Sequence, residues 1–368
     1  MRVPFVDLTA QYQAHRAEFD AALAGVIASN AFIGGEPVRE FERAYAEKYG
    51  VRHCIGCGNG TDAIYIVLKM LGVGPGDEVI TTASSWISTS ETIGQTGAKP
   101  VFVDVDEHYL IDPDLVERAI TSRTRAVIPV HLYGQAAQME RIAAICARHK
   151  LHLIEDCAQA HFAEWNGRRV GTFGAAATFS FYPGKNLGAW GDAGAIVTND
   201  DELARRCRMY ANHGALVKHQ HEMEGINSRL DGMQAALLTA KLRHIDRWTE
   251  QRRRVVALYD AKLPGVGDLR LPKVRSGATH VYHLYVVATE SRDALKTFLA
   301  ERGIETAIHY PTALPLLPAY RHLGMTAASI PRAAANQRRI LSLPLYAEMT
   351  EAMVDYVVEA TADYFARR

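Results

Sequence analysis

The sequence has no apolar run approaching the roughly 20 residues that cross a bilayer. It has no charge excess either, with Lys+Arg 41 and Asp+Glu 41. Balanced charge recruits neither nucleic acid nor an anionic membrane, so an anionic ligand has to be held by local donors and dipoles. Cysteine is scarce and odd in number, five in 368 residues, which is not a disulfide framework. Cys54 and Cys57 have redox-motif spacing, but they lie in a short apolar stretch and no second pair completes a zinc set. No metal is expected. The amino end carries Asp7 and lacks a signal-peptide core, so the expected location is cytoplasmic. Internal repeats and low-complexity linkers are also missing.

What is present is ample core material. Hydrophobic residues make up 48% of the chain, enough for two domains sharing one interface. From residue 50 to 200 strand-like and helix-like segments alternate: strands at 53–58, 78–82, 100–105, 125–130 and 151–155, helices at 61–71, 85–95, 112–121 and 137–149, with Asp112 as a candidate N-cap. This pattern predicts an α/β fold with a mostly parallel, helix-covered sheet. Two more strands are expected at 175–181 and 193–198, then helices at 201–212, 230–245 and 249–262. Shorter strands (282–287, 305–310) and helices (292–302, 350–364) follow. The expected division is a large α/β domain over 1–245 and a small α+β domain over 246–368.

Ligands of open α/β sheets sit beyond the carboxyl ends of the strands. Three loops there carry chemistry. Gly58-Asn-Gly-Thr-Asp62 follows a strand and opens a helix; glycines let the backbone approach an anion, and the free N–H groups favour negative charge. It lacks the third glycine of a dinucleotide fingerprint, and an ordinary strand-to-helix turn would read the same way. Asp156 ends an apolar strand. A carboxylate there needs a partner, and a cationic heterocycle nitrogen is one; capping the next segment is another. Lys185 follows an apolar strand and lies between glycines and aromatics in Phe179-Ser-Phe-Tyr-Pro-Gly-Lys-Asn-Leu-Gly188. Desolvation lowers an ammonium pKa, and a neutral amine attacks carbonyls, although a structural lysine would also fit. Anion site, acid and lysine together match the parts of a pyridoxal-phosphate site.

With these stretches, Ile154-Glu-Asp-Cys-Ala-Gln-Ala-His161 and Gly225-Ile-Asn-Ser-Arg-Leu-Asp231 in order, the chain resembles the DegT/DnrJ/EryC1/StrS sugar aminotransferases from Phe5 to about Tyr346. The resemblance implies a fold-type-I architecture, pyridoxal 5'-phosphate as cofactor, and a homodimer with active sites at the subunit interface. It implies that Lys185 carries the cofactor and shuttles the proton, and that Asp156 pairs with the ring nitrogen. Gln159 lies against the ring or its hydroxyl, and Trp86 stacks on the other face. Gly60, Thr61 and Ser180 hold the phosphate, and Asn227 reaches it from the neighbouring subunit. Arg229, His309 and Tyr310 line the substrate pocket. Read plainly, Asn227 and Arg229 could instead cap the helix near Leu230, and His309 and Tyr310 could form a turn before Pro311. Two residues depart from the family pattern: Trp86 stands where many relatives have Phe or Tyr, and Phe162 where many have Gly.

The implied reaction moves an amino group from glutamate to a keto-sugar. Gln at position 159 is the more typical residue of enzymes acting at carbon 3 of a nucleotide-linked hexose. A 4-keto nucleotide-sugar or a keto-inositol is the alternative substrate. Rival classes are a dehydratase of the same fold, in which a His replaces the lysine, a Schiff-base lyase or racemase, and a non-catalytic regulator. O-antigen, capsule and antibiotic-sugar biosynthesis are all open settings.

Overall fold

The computed structural model describes residues 1–367. Two helices, α1 (Leu8–Ser29) and α2 (Gly35–Tyr49), precede the alternating region. That region runs β1 (His53–Cys57), α3 (Gly60–Met70), β2 (Glu78–Thr82), α4 (Ser88–Gln95), β3 (Lys99–Val103), α5 (Pro113–Arg118), β4 (Thr124–Ile128), α6 (Met139–His149) and β5 (His152–Asp156). A small hairpin, β6 (Glu164–Trp165) and β7 (Arg168–Arg169), leads to β8 (Ala176–Ser180) and β9 (Gly194–Thr198). Next come α7 (Asp201–Tyr210), the hairpin β10 (Ala215–Val217) and β11 (Gln220–His221), α8 (Gly232–Leu242) and α9 (Ile245–Lys262). The chain ends with β12 (Tyr285–Ala288), α10 (Arg292–Glu301), α11 (Pro331–Arg339), β13 (Ile340–Leu343) and α12 (Glu351–Ala366).

The alternation expected over residues 50–200 is present, with element ends displaced by a turn or less. Asp112 is the N-cap of α5 and accepts from Asp114 N. Seven strands form one sheet in the order β1-β9-β8-β5-β4-β2-β3. The ladders from β8 to β3 are parallel, and β9 alone runs against its neighbours. Successive residues feed opposite faces, as the period-2 geometry of a strand requires. Ile154, Ala126 and Ile196 pack under α3 and α7; Leu153, Val127 and Val197 pack with α2, α6 and α8. A separate cluster joins Val3, Tyr259, Tyr285, Leu299, Leu341 and Val357.

Two expectations need correction. The helices expected at 230–245 and 249–262 meet at Arg243–His244 instead, because Ile245 and Trp248 are the buried first turn of α9 and not a continuation of α8. The strand expected at 305–310 makes one isolated bridge, Ala307 with Ser342, just after that of Val3 with Ile304. His309 and Tyr310 leave that line to face a cavity. Among the described residues no helix is long and apolar enough to cross a membrane.

Glu155 and Asp156 end β5 and serve different purposes. Glu155 is wholly buried and accepts from Gly171 N (2.6 Å), Phe173 N (2.7 Å) and Gly174 N (3.1 Å), with His131 Nε2 at 3.2 Å. It is the acceptor that folds residues 171–174 onto the sheet. An amide puts a donor where an acceptor is needed, so Glu155→Gln is expected to cost about 3 kcal/mol of stability, read from denaturant midpoints.

Candidate active site

A cavity of about 530 Å³ opens at the carboxyl ends of the parallel strands. The loop after β1, the end of β5 and the loop after β8 all reach it, bringing together Gly60, Thr61, Trp86, Asp156, Gln159, Ser180, Lys185, His309 and Tyr310. Asn227 and Arg229 do not line it. A more open hollow on the outside of α1, along residues 13–20, contains none of these groups.

The anion-binding end is built by close packing. Asn59 caps α3 by accepting from Asp62 N at 2.8 Å. Ser228 Oγ accepts from Gly58 N (3.0 Å) and donates to Asp62 Oδ2 (2.7 Å), locking the turn to the segment before α8. A Cβ on Gly60 would sit 2.7 Å from Ser180 Cβ and 3.1 Å from its Cα, so only glycine lets the β1 and β8 loops meet. Gly60→Ala is therefore expected to weaken cofactor binding at least tenfold, about 1.4 kcal/mol. Cofactor titration followed by absorbance measures this.

Asp156 accepts from Thr89 Oγ1 (2.8 Å) and Ala158 N (3.1 Å). Burial pushes its pKa up, and the two hydrogen bonds and Lys185 only partly offset this. The carboxylate thus pays for desolvation without a full counter-charge, which suits a cationic ring nitrogen. Lys185 is held through its backbone N–H, which donates to Tyr182 O at 2.8 Å. Burial pulls its pKa down to about 8, against the pull of Asp156. The next residue, Asn186, donates to Val281 O (2.9 Å) and faces His283 Nδ1 (3.3 Å), tying the lysine loop to the segment before β12.

The Gln159 amide is oriented at both ends: Oε1 accepts from Tyr133 N (2.7 Å) and Nε2 donates to Tyr310 Oη (3.1 Å). Tyr133 also donates its hydroxyl to the His309 carbonyl. His309 Nδ1 pairs with Ser342 Oγ at 2.9 Å. Trp86 is 58% exposed, precedes α4 rather than starting it, and its ring lies 5.6 Å from that of Tyr310. Phe162 is outside the site. It holds φ +63 and packs on Tyr49 and Tyr45, a left-handed position that glycine takes without strain.

Neither Asn227 nor Arg229 caps α8, whose N-cap is Asp231. Asn227 is exposed, and Arg229 reaches Asn212 Oδ1 at 3.3 Å while its Nε is buried without a partner. Sequence reasoning missed Thr89, Tyr133 and His283, as well as Phe5 and Val6, which form part of the cavity wall.

The histidines around the site are kept neutral by burial. His161 and His280 are pulled down to about 3 and His309 to about 4, and His283 lies well below the usual value. Below pH 6.5 the unfolded chain protonates these side chains while the folded chain does not. Their stability contribution is complete above pH 6.5 and is lost as pH falls through about 4 for His309 and about 3 for His161 and His280. Denaturant midpoints measured from pH 7 to 4.5 are expected to fall steadily.

The family model described as the DegT/DnrJ/EryC1/StrS aminotransferase family matches residues 13–362. The chain is 50% identical to a Geobacillus stearothermophilus protein named a pleiotropic regulatory protein, over 99% of both chains. It is 45% identical to the dTDP-3-amino-3,4,6-trideoxy-alpha-D-glucose transaminase of Streptomyces venezuelae, covering 100% of this chain and 97% of that one. The crystal structure of S. venezuelae DesV superposes with a TM-score of 0.97 at 44% identity, over 100% of this chain and 99% of that one. The cofactor is pyridoxal 5'-phosphate, and the cradle at Gly60, the buried acid and the desolvated lysine fit its phosphate, ring nitrogen and aldehyde. The chain belongs to the DegT/DnrJ/EryC1/StrS aminotransferase family.

Proposed function

We propose that this transaminase moves an amino group from glutamate to carbon 3 of a nucleotide-linked keto-hexose, in the cytoplasm, as a homodimer. The observation that carries the reading is one cavity holding a desolvated amine, Lys185, a buried carboxylate, Asp156, and an anion cradle at Gly60, Thr61 and Ser180. The 3-amino sugar in the name of the S. venezuelae relative and the Gln159 amide favour carbon 3 over carbon 4.

When bound, the cofactor supplies an electron sink for the carbanion at the donor's α-carbon. The chain supplies everything else. Thr61 and Ser180 hydroxyls and the first N–H groups of α3 bind the phosphate. Asp156, fixed by Thr89, holds the proton on the ring nitrogen. Trp86 would cover one face of the ring, and Gln159 would lie against the other or against its hydroxyl. Lys185 Nζ, with a pKa near ambient pH, takes the α-proton and returns it. His309 and Tyr310 face the sugar. Asn227 would reach the phosphate of the other subunit; its exposure supports this assignment, and Leu216 and Val217 of the β10–β11 hairpin are exposed as well.

The test is a panel of nucleotide-linked 3-keto and 4-keto hexoses and keto-inositols, each with glutamate, read by mass spectrometry. Amination of the 3-keto substrates is expected. Amination confined to another class would remove the carbon-3 reading, and the absence of any amination would remove the sugar reading.

A further inference from the structure

Among the buried cations that the mechanism leaves unused, one touches the lysine loop. Lys241, on the last turn of α8, is 1% exposed. Its Nζ donates to the Gly188 carbonyl at 2.7 Å. The same ammonium lies 5.6 Å from the Phe19 ring and 5.7 Å from the Trp190 ring. Effective penalties for burying an ammonium run to several kcal/mol, and a methionine would fill a similar volume without them. Burial pulls the Lys241 pKa down to about 8 against the pull of Glu348, so below that pH the side chain still carries a charge that packing alone does not account for.

The carbonyl it grips belongs to the Lys185 loop. That loop folds back on itself: Lys185 N donates to Tyr182 O (2.8 Å), Ala189 N donates to Phe181 O (2.7 Å), and a Cβ on Gly188 would collide with the Pro183 carbonyl. Gln234, also on α8, accepts from Trp190 N at 2.8 Å. The Gly58 turn is locked to Ser228, just ahead of the same helix. α8 thus braces the phosphate cradle near one end and the lysine loop along its length.

We propose that Lys241 is a positioning residue for Lys185: its ammonium, seated beside the Phe19–Trp190 ring pair, fixes the Gly188 carbonyl and so keeps the Lys185 amine aimed into the cavity. This rests on Lys185 being the cofactor-bearing amine. The group is fit for the task because ion–dipole bonds in a desolvated site are about twice as strong as neutral ones, and the two rings give the cation a fixed seat.

The test is Lys241→Met, with thermal unfolding confirming the fold. In the protein freed of cofactor, an acylating reagent labels Lys185 as a function of pH, quantified by peptide mass spectrometry. The wild-type midpoint is expected near about 8. In the variant it is expected about one unit higher, because a loosened loop admits water and relieves desolvation. In the holoenzyme kcat is expected to fall by up to about 10²-fold, with the KM for glutamate changing far less. If Lys241→Met does not fold, Lys241→Gln is read in the same way. An unchanged midpoint together with kcat within about twofold of wild type overturns the proposal. If borohydride-reduced wild-type holoenzyme carries no pyridoxyl adduct at Lys185, the underlying assignment fails instead, whatever Lys241 does.

Discussion

Replacing Lys185 by alanine is expected to lower amino transfer by about 10⁴-fold, the upper range for loss of a positioned acid–base group. In the proposed mechanism the amine has two tasks, holding the cofactor and moving the α-proton, and alanine removes both. The fold is expected to survive. In the cofactor-free chain the Lys185 ammonium is desolvated, with its pKa held at about 8. Below that pH the buried charge opposes folding, so its deletion leaves the unfolding midpoint unchanged or higher. Added ethylamine or a similar small amine is expected to restore part of the rate, because truncation leaves room for it in the cavity. Lys185→Arg gains nothing from keeping the charge, since a guanidinium does not deprotonate in this range. Steady-state rates with glutamate and peptide mapping after borohydride reduction are the measurements. A purified Lys185→Ala protein with near wild-type turnover would exclude the mechanism.

Asp156→Asn is expected to lower kcat by about 10²–10³-fold while the protein still binds cofactor, the size seen when one preorganised electrostatic contact is removed from a site. The phosphate cradle is on other loops, so retention by Gly60, Thr61 and Ser180 persists. Ala158 N donates to one carboxylate oxygen and Thr89 Oγ1 to the other; the amide oxygen keeps one of these bonds, and the Thr89 hydroxyl can turn to accept from the amide NH2, which keeps the local geometry. What is lost is the negative charge that the proposed mechanism sets against the ring nitrogen. A second signature accompanies the loss. Asp156 raises the Lys185 pKa against desolvation, so its neutralisation is expected to move the Lys185 midpoint below about 8. A rate within tenfold of wild type would show that the ring proton is held elsewhere.

The parts of this site that could be read from the sequence are those whose chemistry is local. Gly58 to Asp62, Asp156 and Lys185 each sit just past a strand, and their neighbours in the chain already state the environment. Thr89 was not readable, because it is one hydroxyl in the run Ser88-Thr-Ser-Glu-Thr92 and gains meaning only when β5 is known to end opposite it. Tyr133 and His283 act through backbone positions and a neighbouring amide, which leave no pattern. Among the elements, α1 buries only Phe19 and Val26 and so presents no apolar stripe to find. β13 is four buried residues without alternation, indistinguishable by period from a helix fragment. Residues 305–310 have strand-like composition, but only Ala307 makes a bridge, and His309 and Tyr310 turn to the cavity. Asn227 is the reverse case: family resemblance singled it out, while in one chain it faces solvent.

The amino-terminal residues are stitched in place by the Val3–Ile304 bridge, by the Arg2–Glu305 ion pair and by Phe5 N donating to Glu305. They then present Phe5 and Val6 to the cavity. A purification tag fused at that end would hang within a few residues of the reaction chamber. For kinetic work the tag belongs at the other end, and trimming the leading residues would open a side window onto the cavity.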